Sequence, residues 1–128
     1  MSQGEMLLDR KLLVVDDSRV SRMMIRTFFA KRCPSWSILE ASSGDEAIGM
    51  AKEARPDFVT MDVNMPGING FEAARQLLAL DDQVRIVMLT ANIQESSRTE
   101  AASLRLSFVA KPATEASLQQ ALNHLVGA

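Results

Sequence analysis

Short apolar segments alternate with segments of helical periodicity along the whole chain. Five apolar runs have the length and composition of β-strands, and several are apolar at every position, as in a parallel sheet with both faces covered. We predict strands at residues 12–15, 36–40, 57–61, 85–90 and 107–110.

A helical pattern follows each predicted strand. Ser18, Ser43 and Thr114 precede three of these patterns and are residue types that cap helix N-termini. The third and fourth predicted helices cover residues 71–80 and 92–104. A strand and a helix thus alternate five times, which predicts an α/β domain: a doubly wound, five-stranded parallel sheet with five helices distributed over both faces.

The first predicted helix carries an apolar stripe and a basic stripe. We expect the apolar stripe to face the core; its members are Val20, Met23, Met24, Thr27 and Phe28. We expect the basic stripe, made of Arg19, Arg22 and Arg26, to be solvated. The alternative is that the basic stripe binds an acidic patch on a partner.

Composition and charge exclude several classes of protein. The 128 residues are 47% hydrophobic and 23% charged, which is typical of a folded domain, and we expect one domain over residues 1–128 with a flexible extension at residues 1–9. A net charge of −2 gives no reason to expect direct nucleic-acid binding. No apolar run approaches the roughly 20 residues that span a bilayer. A single cysteine and the absence of a signal-peptide pattern near the start lead us to expect a cytoplasmic protein.

Polar residues stand where the predicted strands end. Asp16 and Asp17 follow the first strand, Asp62 the third, Thr90 ends the fourth, and Lys111 follows the fifth. In an open parallel sheet the carboxyl ends of the strands share one rim, where ligands bind. Each residue also has a simpler explanation, because an aspartate can cap a helix and a loop lysine can be solvated.

Clustered carboxylates predict a cation among them. Two carboxylates 4 Å apart repel by about 4 kcal/mol at an effective dielectric constant near 20. Lys111 supplies one positive charge, and oxygen ligands that leave positions for water suit Mg²⁺. A carboxylate beside a bound phosphoryl group can attack it and form an acyl phosphate.

Four motifs resemble the receiver domain of two-component response regulators: LLVVDDS, DVNMPGINGFE, MLTA and FVAKP, in this order. The resemblance covers nearly the whole chain and implies a flavodoxin-like strand order of 2-1-3-4-5. It implies that Asp62 accepts a phosphoryl group from a phosphohistidine on a sensor histidine kinase or a histidine phosphotransfer protein. It further implies that Asp17, Asp62 and the backbone carbonyl of Asn64 bind Mg²⁺, with Asp16 acting through a water molecule.

The same resemblance implies roles for residues around the phosphoryl group. Lys111 would contact the phosphoryl oxygens, and the Thr90 hydroxyl would donate to them. Phe108 would change rotamer on activation, and Pro112 is a candidate for a cis peptide bond. The surface formed by the fourth predicted helix, the fifth strand and the fifth predicted helix would then change for an unknown downstream protein. The protein would be a monomer or a phosphorylation-dependent dimer.

Two further positions concern hydrolysis of the acyl phosphate. In the family, the positions of Asn64 and Asn92 flank the attacking water, and neither residue here is acidic or basic. We therefore expect intrinsic, unassisted hydrolysis. The protein would be a signalling phosphoacceptor that catalyses its own phosphorylation and slow dephosphorylation, not an enzyme. The family's glycine at the end of the fourth helix is absent, so residues 104–106 leave the geometry of that end open.

Four alternatives compete with this interpretation. A haloacid-dehalogenase-like Mg²⁺-dependent phosphatase uses similar residues, but its nucleophile comes first in the chain, usually as DxD, whereas here the acidic pair comes first. A flavodoxin-like cofactor binder would have a phosphate-binding loop after the first strand, where DDS would repel phosphate. A pseudo-receiver would lack part of the acid set. The chain could also be a receiver fragment of a larger DNA-binding or enzymatic regulator; we expect a stand-alone protein.

Overall fold

A five-stranded parallel sheet forms the centre of the molecule. The computed structural model describes residues 8–91 and 106–127. Its strands are β1 (Lys11–Val15), β2 (Ser37–Ala41), β3 (Phe58–Asp62), β4 (Arg85–Thr90) and β5 (Ser107–Ala110). They lie in the order β2-β1-β3-β4-β5, and all neighbouring strands are parallel. The predicted fold class and strand order are confirmed.

Four helices connect or follow the strands in the described residues. They are α1 (Arg19–Arg32), α2 (Gly44–Ala54), α3 (Gly70–Leu80) and α4 (Glu115–Leu125). The predicted fourth helix, residues 92–104, lies outside the described residues, so α4 corresponds to the fifth predicted helix. Most of the predicted extension, residues 1–9, also lies outside them. Within the described ranges, no helix has the length and apolar character needed to cross a membrane.

Polar side chains cap the N-terminus of each of these helices. The side chains of Ser18, Ser43 and Thr114 accept a hydrogen bond from the backbone N–H three residues later, which confirms the predicted starts of α1, α2 and α4. Asn69 does the same for α3, for which no cap was predicted. Each cap satisfies one of the backbone donors that a helix start leaves without a partner.

The sheet has an apolar layer on each face. Successive strand residues point to opposite faces, so Leu12 and Val14 belong to the layer under α1 and α4, while Leu13 and Val15 belong to the layer under α2 and α3. All four side chains are buried. This double burial explains why the strands are apolar at every position.

The predicted apolar face of α1 was wrong in most positions. Of its five predicted core residues only Phe28 is buried, and the buried face is completed by Ile25 and Phe29. Phe29 stacks on Trp36 with ring centroids 5.9 Å apart, which turns this face of the helix toward the sheet. The apolar residues that are left outside are Val20, Met23 and Met24, which are 61%, 58% and 47% exposed.

Candidate functional site

Four polar residues meet at the carboxyl ends of adjacent strands. Asp62 and Thr90 are the last residues of β3 and β4, while Asp16 and Lys111 directly follow β1 and β5. Asp16, Asp62 and Thr90 are 0%, 6% and 1% exposed, and Lys111 is half-buried. The structure thus brings together the residues that the sequence placed at one rim.

Asp16 is held by hydrogen bonds on every polar atom. Its backbone N–H donates to the carbonyl of Ala41 over 3.1 Å, and its own carbonyl accepts from Arg22 over 2.8 Å. Its carboxylate accepts from the backbone N–H of Ser18 over 2.9 Å and from the ammonium of Lys111 over 2.7 Å. These contacts satisfy a carboxylate that is fully buried and fix its position.

Three carboxylates form one acidic cluster. Asp16, Asp17 and Asp62 each offer an oxygen, and these oxygens lie within 4.8 Å of one another. The Lys111 ammonium lies 3.6 Å from the nearer Asp62 oxygen, so one positive charge faces three negative ones. Asp17 is exposed, which leaves the cluster open to solvent on one side. Such a set of oxygens suits a hard divalent cation, with water completing the coordination.

The electrostatic setting of Asp62 reflects this excess of negative charge. Burial raises the pKa of Asp62 from 3.8 to about 6. The Lys111 ammonium opposes this shift, and the neighbouring carboxylate of Asp16 adds to it. Ionised Asp62 is therefore poorly compensated by the protein's own charges, and a bound cation would supply what the surrounding side chains do not.

A tightly packed loop follows Asp62. The Gly70 N–H donates to the carbonyl of Val63 over 2.9 Å. A Cβ atom on Gly70 would lie 2.2 Å from the carbonyl oxygen of Asp62, so only glycine permits this approach. The backbone N–H of Asn64 lies 3.4 Å from an Asp62 carboxylate oxygen. The loop therefore holds the Asn64 backbone beside the acidic cluster, while the Asn64 side chain is exposed.

Three predicted site residues remain: Phe108, Pro112 and Asn92. Phe108 is half-buried in β5 and packs against the apolar layer under α2 and α3, together with Leu106. The peptide bond between Lys111 and Pro112 is cis. Asn92 and residues 104–105 lie outside the described residues.

The contacts of Arg22 and Glu40, beside the site, were not predicted. We expected Arg22 to be solvated, but its side chain is only 16% exposed and its Nε lies 3.1 Å from a Glu40 oxygen. Arg26 lies 2.8 Å from the other Glu40 oxygen, and Glu40 was assigned no role. Hydrogen bonding from Arg26 lowers the pKa of Glu40, with Arg22 contributing in the same direction. The available signal was an acid at the end of a predicted strand, opposite a basic helical stripe.

An open groove leads from the site along α1. Near the cluster it is lined by Lys111, Pro112 and Val20, and Met24 continues it. Further along α1 it encloses about 470 Å³ between that helix and the start of α4. The residues that line this second part include Met23, Met24, Phe28, Lys31, Arg32 and Leu118. Val20 and Met24, two exposed apolar residues of α1, therefore line the same part of the groove as Lys111.

Comparisons with known proteins agree on one family. The family model for the response regulator receiver domain matches residues 12–123. Protein CcdB of Bacillus subtilis is 36% identical over 119 residues, which are 91% of this chain and 98% of that protein. The chemotaxis protein CheY of Thermotoga maritima is 32% identical over 118 residues, with 91% and 97% covered. The solved structure of Vibrio cholerae CheY4 superposes with a TM-score of 0.83 at 27% identity, over 92% of this chain and 99% of that one. The chain therefore belongs to the receiver domains of two-component response regulators, which are signalling proteins and not metabolic enzymes.

Proposed function

We propose that Asp62 is the phosphoacceptor of this receiver and takes its phosphoryl group from a phosphohistidine. The observation that carries the proposal is the convergence of Asp62 with Asp16, Asp17 and Lys111 at one rim. Asp62 is the only one of the three acids that is the last residue of a strand, and its nearer carboxylate oxygen lies 3.6 Å from the Lys111 ammonium. Asp16 is already bonded at both carboxylate oxygens, so it is poorly suited to attack.

In the proposed reaction a carboxylate oxygen of Asp62 attacks the phosphorus of the donor. The bond from phosphorus to the imidazole nitrogen breaks, its electron pair stays on the imidazole, and an acyl phosphate forms on Asp62. Lys111 contributes a positive charge at the side of the incoming phosphoryl oxygens, because its ammonium already lies 3.6 Å from Asp62. Asp16 keeps that ammonium in place through a 2.7 Å contact. The protein thus catalyses its own phosphorylation.

We propose Mg²⁺ as the cofactor of this reaction. Asp17, Asp62 and the backbone carbonyl of Asn64 would bind it, and Asp16 would assist through a water molecule. When bound, Mg²⁺ would neutralise negative charge on the phosphoryl oxygens, which is its usual contribution to phosphoryl transfer. The geometric support is the 4.8 Å cluster of carboxylate oxygens and the loop that holds the Asn64 backbone beside it.

Phosphorylation would act on the surface through Thr90 and Phe108. Shifting the equilibrium between inactive and active conformations from 1:99 to 99:1 needs about 5.5 kcal/mol. One hydrogen bond to a charged group contributes about 1.5–3 kcal/mol, so the Thr90 hydroxyl needs help from Lys111 and from inward packing of Phe108. Phe108 is half-buried in β5, which leaves room for a change in packing. The altered surface would include β5 and α4 and would bind a downstream protein or a second copy of the chain.

Dephosphorylation would be slow and unassisted. The Asn64 side chain is exposed beside the cluster and carries no charge with which to activate or repel water. The same holds for the residue type at Asn92, which completes the pair of positions flanking the attacking water.

The histidine-bearing donor would dock on α1 and the groove beside it. A donor must bring its imidazole to Asp62, so it has to rest on the surface next to the acidic cluster. Here that surface combines the exposed apolar side chains of Val20, Met23 and Met24 with basic residues. Of the five basic residues of α1, Arg19, Lys31 and Arg32 are exposed and are not paired with Glu40. The helix has no acidic residue, which favours a donor with acidic residues around an apolar contact.

Labelling by acetyl phosphate tests the proposal. We expect the parent protein to be labelled in a Mg²⁺-dependent manner and the Asp62→Asn variant to remain unlabelled. The matched control is Asp57→Asn, because Asp57 immediately precedes the opposite end of the same strand and is exposed. This control should be labelled like the parent. Equal labelling of the parent and Asp62→Asn would contradict the proposal, as would labelling that persists after removal of divalent cations.

A further inference from the structure

Arg22 joins the first turns of α1 to β1 and β2. One terminal nitrogen of its guanidinium donates to the carbonyl of Asp16 over 2.8 Å. Its Nε donates to a carboxylate oxygen of Glu40 over 3.1 Å. The side chain of Arg22 is 16% exposed, and that of Glu40 is 32% exposed. A guanidinium can make both contacts at once because its donors are arranged in a rigid, planar fork.

The carbonyl that Arg22 binds belongs to the peptide that links Asp16 to Asp17. Because a peptide unit is planar, holding this oxygen also fixes the N and Cα atoms of Asp17. The other side of Asp16 is held by its N–H bond to Ala41. Asp17 itself is exposed, and no hydrogen bond among the described residues holds its carboxylate, so this backbone sets the position from which the side chain extends.

We propose that Arg22 is a positioning residue of the acidic cluster, aligning the Asp16–Asp17 peptide so that the Asp17 carboxylate points toward the cation site. Glu40 orients the guanidinium for this task. The inference rests on the proposed function insofar as the cluster binds Mg²⁺. It adds a residue that lies outside the set of ligands and does not touch the reacting atoms.

Arg26 provides a matched control for this role. It lies 2.8 Å from the second carboxylate oxygen of Glu40, so its removal also breaks an ion pair with Glu40. Among the described contacts, however, Arg26 makes none with Asp16. A general loss of stability from breaking the ion pairs should therefore follow from either substitution, whereas a loss of Mg²⁺ affinity should follow from only one.

The test measures Mg²⁺ affinity by isothermal titration calorimetry on the full chain, together with urea unfolding of the metal-free protein. We expect Arg22→Ala to weaken Mg²⁺ binding roughly ten-fold, the size of effect typical for groups that orient metal ligands. Arg26→Ala should change the affinity by less than about two-fold, because Arg26 makes no described contact with Asp16 and its ion pair with Glu40 is solvent-exposed. Arg22→Lys should lie between them, since an ammonium cannot reproduce the two-donor fork.

Equal Mg²⁺ affinities of Arg22→Ala and the parent would overturn the inference, and so would equal losses in Arg22→Ala and Arg26→Ala. If Arg22→Ala does not fold, Arg22→Lys decides: an unchanged affinity overturns the inference, and a reduced one supports it. Failure of the proposed function would give a different result from failure of the Arg22 role. In that case the parent itself binds no Mg²⁺ or takes no label from acetyl phosphate, whereas failure of the Arg22 role alone leaves the parent's binding and labelling intact.

Discussion

The two ends of the sheet use similar charged residues in opposite ways. At the amino ends of the strands, the backbone N–H of Lys11 donates to Asp57 and its ammonium donates to the carbonyl of Ala54, each over 2.8 Å. Arg85 donates to the carbonyl of Leu125 over 2.8 Å. Lys11, Asp57 and Arg85 are all exposed. At the carboxyl ends, by contrast, Asp16 and Asp62 are buried and the acids outnumber the one lysine beside them.

We infer from this difference that the charges at the amino ends stabilise the fold, whereas those at the carboxyl ends serve the proposed chemistry. The charged groups at the amino ends bind backbone atoms and connect neighbouring elements, with little desolvation. The carboxyl ends hold an excess of negative charge in a buried place, which lowers the stability of the metal-free protein. We infer that one end of the sheet has been arranged for stability and the other for binding positive and phosphorylated groups.

Removing the lysine at each end should give the largest difference between the two ends. Lys111→Met leaves the buried Asp16 without its partner, and we expect the free energy of unfolding to fall by about 3–5 kcal/mol. Lys11→Met removes an exposed side chain and should cost less than about 1 kcal/mol. Urea unfolding of both variants at neutral pH measures this. Similar losses in the two variants would refute the contrast between the ends.

Removing the buried carboxylate of Asp62 should stabilise the metal-free protein. Burial raises the pKa of Asp62 from 3.8 to about 6, so the folded state binds this proton more tightly than the unfolded chain. The stabilisation that comes from protonated Asp62 is fully present below about pH 4, and it is lost as the pH rises through about 6. At 1.36 kcal/mol per pKa unit, Asp62→Asn should be more stable than the parent by up to about 3 kcal/mol above pH 6.

Unfolding curves between pH 4 and pH 8 without divalent cations test this prediction. The advantage of Asp62→Asn should shrink toward pH 4, and added Mg²⁺ should reduce it by stabilising the parent. Asp57→Asn, at the other end of the same strand, should show no gain because its carboxylate accepts a hydrogen bond from Lys11. An Asp62→Asn variant that is less stable than the parent at pH 8 would contradict the account.

The smallest effect is expected for a substitution that weakens the conformational switch. Thr90→Val should leave labelling by acetyl phosphate unchanged while weakening the response of β5 and α4 to beryllofluoride. The loss of one hydrogen bond to a charged group, about 1.5–3 kcal/mol, corresponds to a ten-fold or larger shift in the switching equilibrium. Hydrogen exchange with and without beryllofluoride measures that response.

Thr60→Val is the matched control for Thr90→Val. Thr60 is also fully buried, but it lies inside β3, and its hydroxyl has no hydrogen-bond partner in the described structure. We expect this variant to keep the full response to beryllofluoride. If Thr90→Val responds as strongly as Thr60→Val, the proposed coupling through Thr90 is wrong.

The sequence predicted the sheet and its polar rim because both follow from local patterns. Strands buried on both faces are apolar at every position, so β4 and β5 were predicted with the bounds observed. Parallel strands share one carboxyl end, which made the gathering of Asp16, Asp62 and Lys111 predictable. The strand order came from the family resemblance, since local patterns do not encode which strands are neighbours. Family membership also decides against the phosphatase and cofactor-binding alternatives.

The orientation of α1 and the contacts of Glu40 could not be predicted from local sequence patterns. The apolar residues of α1 form two overlapping stripes that share Phe28, and aromatic packing of Phe29 on Trp36 selects one of them. The ion pair between Arg22 and Glu40 joins α1 to β2. Likewise, adjacency in sequence did not reveal that Asp16 is buried while Asp17 is exposed. Each of these outcomes depends on tertiary packing.

The most direct test of the central claim is to locate the phosphoryl group by mass spectrometry after incubation with acetyl phosphate and Mg²⁺. We expect a single phosphoryl group on the peptide that contains Asp62. A phosphoryl group on the peptide that contains Asp16 and Asp17, or no modification of a folded, Mg²⁺-loaded protein, would contradict it.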